Sequence, residues 1–213
     1  MKNRQQSVFF GGATLIVLLT SFLFLGSLNS CATLNALAGL SRIQFKLQDV
    51  GRVQLAGIDI TTKHQVTDFS ILDGINLANA FRTGKFPLTF TLNVAAKNPN
   101  ANDNSNATLS QLQLSDFPWR LLIDQHETIS GGLGSPISIP GGGTTQIIPL
   151  QVSVDLKQFF GNQGYNDMIN LALAVAGQGA AKLQLKAQPT MRTPIGSVKY
   201  PNEITIVNTE FRS

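Results

Sequence analysis

Residues 87 to 100 read PLTFTLNVAAKNPN, and the fold of this chain is decided there. Leu88, Phe90, Leu92 and Val94 fall on one phase while Thr89, Thr91, Asn93 and Lys97 fall on the other, which is the period of a half-buried β-strand. Asn98-Pro99-Asn100 then supplies turn chemistry that ends it. Working outward, the same period recurs in SRIQFKLQ (Ile43, Phe45, Leu47) and in GRVQLAGIDI (Val53 and Leu55, then Ile58 and Ile60 after a shift of phase at Gly57). It returns in ATLSQLQL (107–114), WRLLIDQ (119–125), TTQIIPLQVSVDL (144–156), AKLQLKAQP (181–189) and NEITIVN (202–208). Short alternating strands at this spacing predict an all-β sandwich. Pro149 interrupts the outward phase of the 144–156 segment, so that strand belongs at a sheet edge or a bulge.

Two segments break the alternation. ILDGINLANAFR (71–82) repeats Ile71, Ile75, Ala78 and Phe81 or Arg82 every three or four residues, with Asp73 placed to cap its start and Gly84 after its end, which predicts a short helix. Tyr165, Met168, Ile169, Ala172 and Ala176 form a second helical stripe. SPISIPGGG (135–143) is read as a glycine-rich loop.

The order of these pieces carries a family resemblance. A strand running into Asn98-Pro99-Asn100, the Ser138-Ile139-Pro140 loop with Gly141 and its neighbouring glycines, the strand IIPLQVSVDL, and a late TPIGSVKYP (193–201) together resemble a late embryogenesis abundant type 2 domain, also called the WHy domain. The match covers most of residues 43–210. The resemblance implies a fibronectin III-like Greek-key β-sandwich with one or two short helices packed at its ends. It also implies a non-enzymatic domain that has a stress-associated stabilising or protein-interaction role and needs no cofactor.

The N-terminus gives a different kind of information. MKNRQQ carries Lys2 and Arg4 and no acid, and an uncharged, largely apolar stretch runs from Ser7 to Leu28, the layout of a secretory signal. Its length also suits an uncleaved membrane anchor. Leu28, Asn29, Ser30 and Cys31, with Cys31 the only cysteine in 213 residues, resemble a bacterial lipobox. That resemblance implies a diacylglycerol on the Cys31 sulfur, cleavage between Ser30 and Cys31, and acylation of the new amine, two or more chains being needed for durable anchoring. The expected organisation is therefore a signal peptide at 1–30, a lipidated tether at 31–42 and one sandwich domain at 43–213. Ala32 takes the place of an inner-membrane-retaining aspartate, and the tether ATLNALAGLS has no acid. Both point to an outer-membrane lipoprotein facing the periplasm.

Of 16 Lys and Arg residues, two lie in the first 30, so the mature chain sets 14 against 12 acids and is close to neutral. Its cations are scattered without interleaved aromatics, which argues against nucleic acid. His64 and His126 lack partners at metal-ligand spacing and read as exposed histidines, so no metal site is expected. KNPNANDNSNAT (97–108) is oxygen-rich but holds one carboxylate, and a solvated turn is preferred to a calcium loop. GGLGSPIS lacks the spacing of a nucleophile elbow, and GGLG and GGG read as turns. No catalytic set can be assembled. The expected partners are the membrane, through lipid on Cys31, and an envelope protein. The alternative is a carrier whose apolar segment INLALAVAG (169–177) lines a ligand cavity, although core packing is the preferred reading of that segment.

Overall fold

The computed structural model describes residues 38–100, 111–123, 125–177, 183–193 and 196–206. The residues from Arg42 onward form a compact unit of their own. Its strands are β1 (Gln44–Leu55), β2 (Ile58–Asp59), β3 (Pro87–Lys97), β4 (Gln111–Asp116), β5 (Trp119–Ile123), β6 (His126–Gly131), β7 (Ile137–Pro140), β8 (Thr145–Asp155), β9 (Leu183–Ala187), β10 (Thr190–Thr193), β11 (Gly196–Lys199) and β12 (Ile204–Ile206). Helix α1 (Ile71–Arg82) lies between β2 and β3, and α2 (Leu156–Phe159) and α3 (Tyr165–Gly177) lie between β8 and β9.

All pairing is antiparallel, and the strands order as β2-β1-β3-β8, β11-β10-β4-β7 and β12-β9-β5-β6. The second and third ladders are two halves of one layer. β4 passes into β5 through Phe117-Pro118, and β9 passes into β10 through Gln188-Pro189. β6 reaches β7 through a segment ending in Pro136, and β11 reaches β12 through Tyr200-Pro201. A proline thus stands at the same break in all four strands. Proline has no N–H for the ladder, and it holds the residue before it extended, so each strand loses its pairing at the break without turning back. Backbone bonds cross the crease where they can: Gln188 N–H donates to the Pro118 carbonyl (3.0 Å) and Tyr200 N–H to the Pro189 carbonyl (2.9 Å). From the facing layer, the Phe45 ring packs against Phe117 and Tyr200 at centroid distances of 5.7 and 6.4 Å. The result is an all-β Greek-key sandwich of fibronectin III type, a β1-β3-β8 layer facing a creased four-stranded layer.

The 87–100 segment does what its alternation predicts. Leu88, Phe90, Leu92 and Val94 are all buried, and β8 opposes them in unbroken register from Pro87↔Asp155 to Lys97↔Thr145. The outward phase is less open than expected, since Thr91 is also buried and its hydroxyl donates to Gln151 Oε1 at 3.3 Å. A central strand is covered by its neighbours' side chains on both faces. β8 is an edge strand, and its Pro149 sits on it as anticipated. β1 departs from a single phase shift at Gly57. Its register slips between Leu47 and Asp49 and again between Gly51 and Gln54, with Arg52 at φ 53°, so Leu47, Val50, Val53 and Leu55 all point inward. Ala56 and Gly57, at φ 49° and 83°, then form the two-residue hairpin into β2.

Elements missing from the sequence reading are β6, β7, β10, β11 and α2. Ile137–Pro140, expected as loop, pairs with β4, while His126–Gly131 pairs with β5. Leu156 is buried as expected of the 144–156 segment, but as the first residue of α2. The apolar stripe of α3 is broader than the five residues expected, with Leu171, Leu173 and Val175 buried beside Met168, Ile169, Ala172 and Ala176. α3 packs against β1, whose pairing with β2 is confined to Gln54 and Leu55.

Candidate functional site

The registers give the sandwich two distinct ends. Gln44, Lys97 and Thr145 lie side by side at the first, where the chain enters the domain, and Leu55, Leu88 and Val154 lie near the second.

At the first end, the motif residues of the 98–100 turn meet those of the 139–143 segment, 40 residues away in sequence. Asn98 is fully buried and Asn100 nearly so. The Asn98 Oδ1 accepts from the Asn100 backbone N–H (3.1 Å) and from Asn100 Nδ2 (2.8 Å), and Asn98 Nδ2 donates to the Ile139 carbonyl (3.5 Å). Gly142 N–H donates to the Asn100 carbonyl and Gly143 N–H to the Asn98 carbonyl, both at 2.8 Å. Those glycines stand at φ 78° and 79°, where a Cβ is strained. Ile139 and Gly141 are buried, Pro140 is half-buried at the end of β7, and Pro99 is exposed at the apex of the turn. This arrangement ties two loops by satisfying buried amide groups, and its oxygens are committed to protein donors. Residues 101–108 of the asparagine-rich stretch lie outside the described residues, as do Ser30, Cys31 and the apolar N-terminal run.

At the second end, α1 has the boundaries that its periodicity predicts, but its cap and its face differ. Ser70 is the N-cap: its Oγ accepts from the Asp73 N–H (3.1 Å), and Asp73 Oδ2 accepts from the Ser70 N–H (3.0 Å), a reciprocal capping box in which Asp73 is the third helical residue. The preceding turn is held by Asp68, whose Oδ2 accepts from the His64 N–H (2.8 Å) and the Gln65 N–H (3.2 Å). Lys63 Nζ donates to the Asp68 carbonyl (2.8 Å), lies 3.7 Å from Asp73 Oδ2, and sits 5.1 Å from the centroid of the Phe69 ring. The backbone N–H of His64 holds the Asp68 carboxyl below the usual carboxylate range, and the N–H of Ser70 does the same for Asp73.

The core-facing side of α1 is Leu77, which is fully buried, with Ala78 and Phe81 half-buried. Phe81 packs on Phe86 and Tyr165 at 5.7 and 5.3 Å, under Lys157 Nζ at 3.8 Å from its centroid. Ile71 and Ile75, expected in the core stripe, are instead 85% and 52% exposed, Leu72 between them is 72% exposed, and Val66 is 42% exposed. The interior-facing residues of α1 thus begin at Leu77. The first turn is exposed and carries an aliphatic tip on a frame locked by Ser70, Asp73 and Asp68.

His64 is exposed in the turn before α1, and His126 is exposed at the start of β6, where its ring meets Phe160 at 5.9 Å. Among the described residues, no group of three or more His, Cys, Asp or Glu is placed to hold a metal ion. No described helix is long and apolar enough to cross a membrane. The Arg120 guanidinium on β5 bridges Glu203 (2.7 Å), just before β12, and Glu127 (2.6 Å) on β6, both half-exposed.

No family model matches the chain, and no curated protein matches it in sequence. Solved structures to which it is similar include the following three. One is a protein from Archaeoglobus fulgidus (9% identity, TM-score 0.31, covering 59% of this chain and 88% of that one). A structural genomics target, SoR45, has 8% identity and TM-score 0.36, covering 81% and 93%. The third, solved in solution and named as a late embryogenesis abundant protein, has 17% identity and TM-score 0.36, covering 90% and 88%.

Proposed function

We propose that this protein is a non-catalytic, lipid-tethered module of the cell envelope, anchored through Cys31 in the outer membrane and facing the periplasm, with a stress-associated stabilising or interaction role. One observation supports this reading above the rest: the exposed aliphatic tip of α1 stands at the end of the sandwich opposite to the one where β1 begins. A tethered module meets its surroundings with the end away from its tether, and this end carries side chains that water does not favour. The carrier alternative draws on no observation of its own, because the side chains of 169–177 that it would use are buried alongside β1 as core.

The test is the mass of the mature protein recovered from its own membranes. The expected product starts at Cys31 and carries acyl chains, and Cys31→Ser accumulates as an unlipidated precursor. An intact N-terminus on the wild-type protein overturns the tethering. Protease added to intact cells spares the domain, while the same treatment after outer-membrane permeabilisation degrades it. Digestion on intact cells overturns the periplasmic orientation.

A further inference from the structure

We propose that the tip of α1 is a lipid-contacting wedge, with Ile71, Leu72 and Ile75 entering the acyl region of a bilayer. The inference rests on the reading of the helical end as the working surface and names what that surface meets. Four features favour lipid as the occupant.

The chemistry of the tip is aliphatic throughout: Val66, Ile71, Leu72 and Ile75. Protein-binding hot spots draw on Trp, Tyr and Arg, with Leu and Val under-represented, and none of the favoured types stands in this set. The nearest aromatic ring, Phe69, is half-buried and already faced by Lys63. Aliphatic side chains without polar handles suit acyl chains.

The size of the tip also counts against a protein. Four side chains fall far short of the roughly 20–30 residues that each partner gives to a stable interface, a second copy of this chain included. They are enough for shallow insertion, where each buried methylene adds about 0.8 kcal/mol.

Shape and rigidity come from the frame. Side chains exposed by 85% and 72% stand proud of the surface, while the capping box and the Asp68 bonds fix the backbone beneath them. Insertion then loses little conformational entropy.

Charge completes the case. Between Asp59 and Lys85, the acids Asp59, Asp68 and Asp73 balance Lys63, Arg82 and Lys85, so the contact does not depend on anionic headgroups.

The experiment uses residues 31–213 with Cys31→Ser, so that neither the apolar run of residues 7–28, nor acylation, nor the native thiol interferes, and a polarity-sensitive dye on Leu72→Cys. Vesicles of phosphatidylethanolamine and phosphatidylcholine are the probe. The expected result is a blue shift of the emission and quenching by an acyl-chain spin label, both insensitive to salt. The same dye on Ser197→Cys, exposed on β11, gives neither. In a second measurement on the Cys31→Ser chain, Ile71→Ser combined with Ile75→Ser lowers the vesicle partition coefficient at least about tenfold, the equivalent of losing about 1.4 kcal/mol. No shift at position 72, an equal shift at 197, or a partition unchanged by the serine pair overturns the wedge. A blue shift that grows with protein concentration in the absence of vesicles overturns it in favour of a second copy. Because lipidation is removed in every sample, these outcomes are independent of the mass measurement that tests the tether.

Discussion

The two ends of this sandwich solve the same problem in opposite ways. Loops and helix starts leave backbone donors and acceptors without ladder partners, and each must be satisfied. Where β1 begins, the solution is inward: Asn98 and Asn100 are buried, the Asn98 side chain bonds Asn100 and the Ile139 carbonyl, and the backbone carbonyls of both asparagines accept from the N–H groups of Gly142 and Gly143. Where α1 begins, it is outward: Asp68, Ser70 and Asp73 satisfy the local N–H groups at the surface, and the aliphatic side chains of the first turn are left in water. A buried polar knot is paired with an exposed apolar tip. The first costs a great deal to disturb and the second almost nothing, so stability and surface chemistry separate cleanly along the molecule.

The strongest way to break that comparison is to abolish the frame between the two ends. Leu92 is fully exposed to the core and to nothing else, so Leu92→Asp buries an unpaired charge. A loss of more than about 4 kcal/mol is expected, seen as absence of the cooperative thermal transition. An unchanged midpoint would show that β3 faces the other way. Next, Asn98→Ala removes the acceptor of two Asn100 donors while those donors stay buried, and about 2–4 kcal/mol should be lost, on the scale of one to three kcal/mol per orphaned group. In a domain of this size that lowers the midpoint by roughly 5–15 °C.

How much of this was legible in the sequence follows from where the signal comes from. β3, β8 and β1 announce themselves because alternation of Leu88, Phe90, Leu92 and Val94, or of Ile148, Leu150, Val152 and Val154, reports the face that packs into the core. β6 turns Thr128 inward and leaves His126 and Glu127 in solvent, so it carries almost no hydrophobic period. β7 was hidden by its own Ser138 and Pro140 and by the glycines that follow. The crease was visible residue by residue, as Pro118, Pro136, Pro189 and Pro201, but only the pairing shows that the four stand in one line. The motif residues Asn98 and Ile139 were found by their order in the chain, while their hydrogen bonds depend on two loops meeting in space. α1 shows the sharpest limit. Period alone fixes its length and its last two turns, yet whether Ile71 and Ile75 touch core depends on how far the helix overhangs the sheet below, which no helical repeat encodes.

At the helical end the expected effects are smaller. Ser70→Ala removes the N-cap acceptor and should cost about 1 kcal/mol, or 2–4 °C. Acid acts on the same frame by another route. The carboxyls of Asp68 and Asp73 are held below their ordinary range by the N–H groups of His64 and Ser70, so the folded state favours their ionised forms. Their contribution is complete above the unfolded value of about 3.9 and is lost as pH falls through the lower folded values. Measured by hydrogen exchange, the amides of His64, Gln65 and Ser70 should lose protection below about pH 4 sooner than the Asn98–Gly143 knot, which has no carboxylate to titrate.

The smallest effect sharpens the comparison most. Leu72→Ser exchanges an exposed aliphatic group for a hydroxyl on a helix surface, and it touches neither the Ser70–Asp73 box nor the packing of Leu77 and Phe81. Serine is a slightly poorer helix former than leucine, so the direct cost is a few tenths of a kcal/mol, within the roughly 0.5 kcal/mol of ordinary surface changes. The thermal midpoint should therefore move by no more than about 2 °C, whereas a leucine truncated inside the core loses ten times as much. A large fall would mean that the first turn of α1 is packed rather than projecting, and the wedge would lose its footing with it. A midpoint that holds while vesicle contact drops places the energetic role of Leu72 outside the folded domain, in whatever the tip enters.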